Sequence, residues 1–240
     1  MGLNIYQEVG DLMRELANAI CRVAAESIAA RDQFNFVLSG GSSPKQLYTL
    51  LASKEYRDQI DWNKTYFFFG DERYVPEHDP QRNSLMAQET LFDPLHIRKS
   101  NIFKVDTSGS PKEAAERYEN EIISHFGSSP AKFDLILLGI GDNAHTASLF
   151  PYTSVLTETI AAIKSVFVEE VNMFRITMTA PMINNARHIA FLVFGKDKAG
   201  AVFEILEGRA GSADKYPARL IKSDPQKVQW YLDKEAASLL

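Results

Sequence analysis

Four short apolar runs in the sequence each end in a glycine that is followed by polar residues. They read "FNFVLSGGSSP", "TYFFFGDERYVP", "FDLILLGIGDNAH" and "HIAFLVFGKDKA". Strands that are apolar on both faces and separated by helices are typical of a parallel sheet covered on both sides. Parallel strands end at one edge of their sheet, and open α/β folds bind ligands there. The pattern therefore predicts that the four polar loops meet at one ligand-binding edge.

Amphipathic segments separate these runs. Apolar residues at intervals of three and four predict a first helix between Val9 and Ile28. Further helices are predicted from Pro44 to about Ser53, along "NSLMAQETLF", from Ala114 to Phe126 and from Ala199 to Leu206. The segments "VFVEEV" and "VQWYLD" predict two more strands. We therefore predict one α/β domain over residues 1–240, a three-layer Rossmann-like fold with a mainly parallel sheet between two layers of helices.

Composition limits the partners and the compartment. The formal net charge is -5, which gives no electrostatic reason to expect nucleic acid or an anionic membrane surface as a partner. The single cysteine, Cys21, excludes an internal disulfide framework and fits a reducing compartment. No apolar run approaches the ~20 residues that cross a bilayer, and the first residues lack the pattern of a secretory signal. We expect a cytoplasmic protein.

The loop "SGGSSP" predicts an anion site. Gly40 and Gly41 allow a sharp turn, and the helix that follows offers unpaired backbone N–H groups at its N-terminus, most naturally to a phosphate. Ser42 and Ser43 would add hydroxyl groups. Alternatively, Ser43 only caps its helix, with Pro44 at the first helical position. Capping does not account for the two glycines and Ser42, so we favour phosphate binding.

Two other loops add charge to the same edge. In "GDERYVP", Arg73 can hold a phosphate or carboxylate through two parallel hydrogen bonds, and Asp71 can orient a hydroxyl or an imidazole. In "GKDKA", Lys196 and Lys198 stand at the start of a helix, where a cation is unfavourable against the helix dipole unless an anion is bound nearby.

His145 is the candidate base. It follows the second glycine of "GIGDNAH", and an ordinary imidazole pKa near ~6.5 suits acid–base work at neutral pH. No histidine or cysteine spacing supports a metal site.

"GIGDNA" followed by a later glutamate, Glu169 or Glu170, also resembles a dinucleotide-binding fingerprint. We reject that interpretation because Pro151 leaves no room for the required helix. The residues thus predict an enzyme that acts on a small phosphorylated substrate through a histidine.

The same loops resemble those of the 6-phosphogluconolactonases. The matching segments are "SGGSSP", "GDERYVP", "GIGDNAHTASLFP" and "RITMTAPMINNARHIAFLVFGKDKAGA", in the family's order from about Phe36 to Leu220, and "HTASLFP" is the specific part. The resemblance implies a metal-free hydrolase without cofactor that opens 6-phospho-D-glucono-1,5-lactone to 6-phospho-D-gluconate in the oxidative pentose phosphate pathway. It implies a fold shared with glucosamine-6-phosphate deaminases and ribose-5-phosphate isomerases. We expect a monomer or a small homo-oligomer.

By this resemblance His145 is the base, with Asp71 and Asn143 beside it. The substrate phosphate is expected on Gly40, Gly41, Ser42, Ser43, Arg73 and Lys198. Arg175 and Arg82 match recurrent arginines of the family and are either further charge partners or structural residues.

The chain departs from the family pattern before the histidine, where Asn143-Ala144 replaces Asp-Gly. Asn143 offers no carboxylate, so this change either lowers activity, moves the partner of His145 to Asp71 or Asp142, or has no effect. Ala144 in place of glycine indicates that the backbone there need not have a positive φ.

Two other functions remain open. An amino-sugar phosphate deaminase shares the fold, but its "HIAFNEP" has an acidic residue where this chain has Phe150-Pro151. A non-catalytic sugar-phosphate sensor usually carries a helix-turn-helix module, for which there is no room before Phe36.

Overall fold

The computed structural model describes residues 2–127, 130–208, 210–222 and 226–240. Within these residues, the α-helices in chain order are α1 (Val9–Arg31), α2 (Ser42–Leu51), α3 (Asn83–Ala87), α4 (Pro111–Phe126), α5 (Ala180–Asn184) and α6 (Ala199–Leu206). The strands are β1 (Gly2–Tyr6), β2 (Phe34–Leu38), β3 (Thr65–Phe69), β4 (Asp71–Arg73), β5 (Leu135–Leu138), β6 (Ile163–Val168), β7 (Met173–Met178), β8 (His188–Val193) and β9 (Val228–Asp233).

Six strands form one sheet in the order β1-β9-β8-β5-β2-β3, and every neighbouring pair is parallel. The four glycine-terminated runs of the sequence are β2, β3, β5 and β8, which lie side by side. Their loops therefore leave the sheet at the same carboxyl edge, as predicted. The segment "VQWYLD" is β9, so that predicted strand is also confirmed.

Hydrophobic cores cover both faces of the sheet. Along β2, Phe36 and Leu38 pack into a core with buried residues of α1 and α2. Val37, between them, packs into the opposite core with buried residues of α4 and α6. This alternation follows from the two-residue period of a strand, and it confirms the three-layer α/β fold. Across the described residues, no helix combines the length and apolarity that spanning a membrane requires.

A second sheet, antiparallel and of three strands in the order β4-β7-β6, stands beside the carboxyl edge. Gly70 joins the two sheets, because its N–H donates to the carbonyl of Leu38 (3.0 Å) and its carbonyl accepts from the N–H of Met178 (2.9 Å). Part of one strand prediction was wrong: "VFVEEV" is β-strand only to Val168, and Glu169–Val171 form a 3-10 turn. Glu170 and Val171 of this turn line the cavity that is described in the next section.

Candidate active site

The loops after β2, β3 and β5 meet the antiparallel sheet around a cavity of about 310 Å³. The cavity is lined by residues from four parts of the chain: Ser39, Gly40, Gly41, Asp71, Arg73, Gly139, Ile140, Gly141, His145, Ala147, Phe150, Glu170, Val171 and Arg175. The predicted site residues in this list are Gly40, Gly41, Asp71, Arg73, His145 and Arg175. We take this cavity as the candidate active site, because it collects the polar ends of the parallel strands.

Packing fixes the imidazole of His145. The ring stacks on Phe150 at a centroid distance of 3.9 Å with an angle of 17° between the planes. Its other neighbour is Gly141, where an added Cβ would lie 2.1 Å from the ring atom Cε1. Only a glycine at position 141 therefore leaves room for the ring in this position. The N–H of Gly141 also donates to the carbonyl of His145 (2.9 Å), which closes the loop between them.

Hydrogen bonding determines which ring nitrogen of His145 carries the proton. Nδ1 lies 2.6 Å from Oδ1 of Asn143, and the backbone N–H of His145 donates to the same oxygen (3.2 Å). A carbonyl oxygen only accepts, so Nδ1 must carry the hydrogen, and Nε2 keeps its lone pair. Asn143 is thus the direct partner of the histidine.

The surroundings of His145 favour its neutral form. Burial is the largest effect and lowers the pKa of His145 from 6.5 to about 4. The positive charges of Arg175 and Lys198 lower the pKa as well, while the negative charges of Asp71 and Asp142 raise it. At neutral pH the ring is unprotonated and able to accept a proton, as a base requires.

Glu170 completes this chain of contacts, although sequence reasoning gave it no part in the site. Its Oε2 accepts a hydrogen bond from Nδ2 of Asn143 at 2.7 Å. Asn143 therefore lies between a carboxylate and the imidazole of His145. Apart from its place at the end of a strand-like run, nothing in the sequence points to Glu170, which lies 27 residues from its partner.

Ala144 corrects one of our expectations. Its φ is 62°, in the left-handed region, so the expectation that this position need not have a positive φ was wrong. The N–H of Ala144 donates to the carbonyl of Gly141 (2.9 Å), and its own carbonyl accepts from Ala218 (3.0 Å). Its methyl group is also buried, with 1% of the residue exposed. These contacts hold a conformation that costs an L-residue roughly 1–2 kcal/mol.

Asp71 is buried at the start of β4. Its Oδ2 accepts from the hydroxyl of Ser148 (2.6 Å), and Oδ1 accepts from Nδ2 of Asn83 (3.3 Å). The next residue, Glu72, is fully buried and organises the turn by accepting from the backbone N–H groups of Arg73, Asn83 and Ser84 at 2.7–2.8 Å. Asp71 acts on His145 through its charge, and Glu72 holds the backbone in place.

Two arginines lie side by side on neighbouring strands of the antiparallel sheet. Arg73 of β4 and Arg175 of β7 are direct cross-strand partners. Like charges in that position repel. Among the described residues, Nε of each guanidinium is buried and has no hydrogen-bond partner. Burial also lowers the pKa of Arg175. Both arginines line the cavity, and two cations so arranged are suited to an anion.

The glycine loop lies on the same cavity. Gly41 is the N-cap of α2 with φ 104°, and no side chain in the described part of the chain caps this helix. The alternative that Ser43 only caps its helix is therefore wrong, since Ser43 lies inside the first helical turn. Ser42 lines an adjoining hollow of about 350 Å³ together with Gly41, Lys45 and Arg73. Gly41 lines the same cavity as the two arginines.

The remaining predicted residues lie outside the lining of the main cavity. Lys198 forms an ion pair with Asp142 and lies 3.6 Å from a carboxylate oxygen of Asp197.

Arg82 is 3% exposed, and its guanidinium donates to the carbonyl of Val105 (2.6 Å) and to the hydroxyl of Thr107 (2.8 Å). It borders the adjoining hollow and a larger groove of about 780 Å³ that contains none of the glycine loops. These contacts give Arg82 a structural role, while a role in substrate binding stays a prediction.

Fold and site together are those of an α/β enzyme with a histidine and an anion site in one cavity. Residues 7–230 match the family described as glucosamine-6-phosphate isomerases/6-phosphogluconolactonase. A 6-phosphogluconolactonase from Synechocystis sp. is 41% identical over 220 residues, which are 90% of this chain and 88% of the relative. The chain belongs to this family and is an enzyme.

Solved structures with the same fold include members of this family. A 6-phosphogluconolactonase from Trypanosoma cruzi has a TM-score of 0.88 at 27% identity, covering 100% of this chain and 96% of the other. A monomeric glucosamine-6-phosphate deaminase has a TM-score of 0.80 at 23% identity, with 100% of both chains covered. The latter likeness shows that the fold is shared between lactonases and deaminases, as the sequence resemblance implied.

Proposed function

We propose that this protein hydrolyses 6-phospho-D-glucono-1,5-lactone to 6-phospho-D-gluconate, a step of the oxidative pentose phosphate pathway, with His145 as the base. The observation that carries the proposal is an imidazole whose Nδ1 lies 2.6 Å from Oδ1 of Asn143, which leaves Nε2 with its lone pair, in a cavity that is also lined by two arginines. A base and an anion site in one cavity are what a phosphorylated ester substrate requires. The names of the relatives point to the same reaction.

In the proposed reaction, the phosphate is held by Arg73, Arg175 and the backbone of Gly40 and Gly41. Anchoring the phosphate fixes C1 of the lactone relative to the base, which is the positioning contribution to catalysis. Nε2 of His145 takes a proton from water as the water oxygen bonds to C1. Backbone N–H groups of the glycine loops are the candidate donors to the oxyanion. The bond between C1 and the ring oxygen then breaks, and His145 returns the proton to that oxygen.

Phe150 favours a lactonase over a deaminase. The deaminase motif places an acidic residue near the histidine at this point of the sequence. Here the imidazole of His145 stacks on an aromatic ring instead, at 3.9 Å. An aromatic ring can orient the imidazole but accepts no proton. A sugar-phosphate-binding protein without turnover would use the same arginines, so a kinetic assay has to separate these functions.

The test is hydrolysis of freshly generated lactone, with the spontaneous rate subtracted, by the wild type, His145→Gln and the control His78→Gln. His78 is exposed and outside the cavity. We expect His145→Gln to lower kcat by about 10²–10⁴-fold, the usual contribution of a general base, while His78→Gln stays at wild-type rates. Wild-type protein that gives no turnover above background, yet binds the phosphosugar, would overturn the proposal in favour of a binding protein.

A further inference from the structure

Glu170 belongs to the 3-10 turn between β6 and β7, and it reaches the site from a different sheet than His145 does. Three contacts converge on the amide of Asn143. Its Nδ2 donates to Oε2 of Glu170 (2.7 Å), while Oδ1 accepts from Nδ1 (2.6 Å) and from the backbone N–H (3.2 Å) of His145. The side chain of Glu170 also lines the candidate active site.

An amide next to a histidine has a property that a carboxylate lacks, because its two ends differ. With the oxygen towards the ring, Nδ1 must carry the hydrogen and Nε2 keeps the lone pair. With the NH₂ group towards the ring, Nδ1 must accept, so Nε2 carries the hydrogen and no longer accepts a proton from water. The orientation of the amide therefore decides whether the imidazole is a base at Nε2.

A carboxylate at the far end of the amide selects between these orientations. Ionised Glu170 only accepts hydrogen bonds, so it attracts the NH₂ end and repels the oxygen. The backbone N–H of His145 favours the same orientation from the other side. Charge at one end of a hydrogen-bonded chain also polarises the rest of it.

We propose that Glu170 is a positioning residue, which fixes the amide of Asn143 and thereby keeps His145 in the tautomer that serves as the base. This inference rests on the proposed function for its kinetic consequences but not for the tautomer itself. The other charged groups that act on His145 are Asp71, Asp142, Arg175 and Lys198. These act on the protonation of the ring, whereas Glu170 acts on the choice of nitrogen.

Glu170→Ala is the first variant, and Glu169→Ala is its matched control, an exposed glutamate in the same turn. We expect Glu170→Ala to lower kcat about tenfold with a KM close to that of the wild type, and Glu169→Ala to leave both unchanged. Equal kinetics of the two variants would overturn the proposal. A parallel fall in thermal stability and in kcat, with the tautomer unchanged, would also overturn it in favour of a structural role.

A second pair of variants tests the specific reason. In Asn143→Asp the two ends of the side chain become equivalent carboxylate oxygens, so its orientation no longer matters. That carboxylate lies next to the one of Glu170, and two like charges repel. We expect Asn143→Asp alone to fall below wild-type activity, and the double variant Asn143→Asp/Glu170→Ala to exceed Asn143→Asp. Removing Glu170 would then lower activity in one background and raise it in the other. The same loss in both backgrounds would contradict the proposal.

A measurement without substrate separates this inference from the proposed function. The ¹⁵N chemical shifts of labelled histidine distinguish protonated from unprotonated Nδ1 and Nε2, and His145→Gln assigns the signals of His145. We expect Nδ1–H at neutral pH in the wild type and a mixture of tautomers in Glu170→Ala. If wild-type protein has no lactonase activity but the tautomer shifts, the positioning role stands and the function fails. An unshifted tautomer overturns the positioning role whatever the activity.

Discussion

At the scale of single residues, a histidine base needs a lone pair on the nitrogen that meets the substrate and a ring that does not rotate away. Asn143 provides the first condition by accepting from Nδ1 of His145. The second follows from packing, because the ring stacks on Phe150 and lies close against the bare Cα of Gly141. These contacts desolvate the ring and thereby lower its pKa, so one arrangement provides both orientation and a neutral charge state.

The depressed pKa predicts an unusual dependence of activity on pH. Protonation of Nε2 removes the base, so kcat/KM should fall on the acid side with the pKa of His145 in the free enzyme. Because burial lowers that pKa to about 4, we expect a flat profile through about pH 6 and a decline only near about pH 4. An acid limb at the ordinary value of about 6.5 would contradict this assignment.

Two substitutions should move that acid limb in opposite directions. The charge of Asp71 raises the pKa of His145, so Asp71→Asn should shift the limb to lower pH. The charge of Lys198 lowers it, so Lys198→Met should shift the limb to higher pH. The measurement is the pH profile of kcat/KM, whose midpoint is independent of the absolute activity that each variant retains.

At the scale of elements, the short strand β4 decides where positive charge lies. Gly70 bonds to both sheets, and β4 begins directly after it, so the first three residues of the antiparallel sheet are fixed against the end of β2. The register then sets Arg73 opposite Arg175. Two like charges on neighbouring strands repel, so this register gathers positive charge where an anion can bind.

This register predicts that Arg175→Met weakens phosphate binding without weakening the fold. We expect KM for the lactone to rise about 10–100-fold, the range for losing a hydrogen bond to a charged group, with a smaller change in kcat. Inorganic phosphate should raise the Tm of the wild type, because a ligand that binds only the folded state stabilises it. That increase should disappear in Arg175→Met.

The control for this experiment is Arg98→Met, which removes an exposed arginine outside the cavity. It should keep both the wild-type KM and the phosphate-dependent rise in Tm. Without phosphate, Arg175→Met removes the repulsion by Arg73 but also the attraction by Asp71 and Glu72, so its Tm should stay close to that of the wild type. A lower Tm together with an unchanged KM would assign Arg175 to the fold instead of the site.

How much of the fold could be predicted from the sequence depended on whether each element is set by its own residues or by partners distant along the chain. The four runs of β2, β3, β5 and β8 predict a buried parallel sheet, because each strand's burial shows in its own apolar residues. The antiparallel sheet could not be predicted in this way. Its strand β4 is three residues long and charged, and it is a strand only through its pairing with β7. Segments whose structure depends on a distant partner carry little local signal.

The site divides in the same way. His145 and Arg73 were predictable from their places after strand-ending glycines. The link from Asn143 to Glu170 was not, since it joins two loops 27 residues apart. Ala144 misled the prediction for a related reason: backbone propensity favours glycine at φ 62°, but buried contacts of the methyl group and two backbone hydrogen bonds hold alanine there.

At the scale of the whole molecule, three of the histidines are kept neutral by burial at separate places. His145 lies at the carboxyl edge of the parallel sheet, and His188 begins β8 at the opposite edge. His125 lies on α4 among aromatic rings, with Phe103 at 4.9 Å, and bonds to Asn35 (2.7 Å). Burial lowers the pKa of each. The folded protein therefore resists protonation at several distant points at once.

This predicts that stability declines in mildly acidic solution. The unfolded chain takes up protons on these histidines as the pH falls through about 6.5, while the folded chain does so only at lower pH, so stability present above about 6.5 is progressively lost below it. For His145, with a folded pKa of about 4, the loss at pH 5 is on the order of 2 kcal/mol.

Urea unfolding at about pH 7.5 and about pH 5 measures this loss, and His145→Gln isolates one contribution to it. Glutamine does not titrate, so the drop in unfolding free energy between the two pH values should shrink by on the order of 2 kcal/mol in the variant. His78→Gln, at an exposed position outside the cavity, is the control and should keep the wild-type drop. If the wild type and both variants lose the same stability, His145 has the same pKa in the folded and the unfolded chain. That result would contradict the neutral base inferred from the burial of His145.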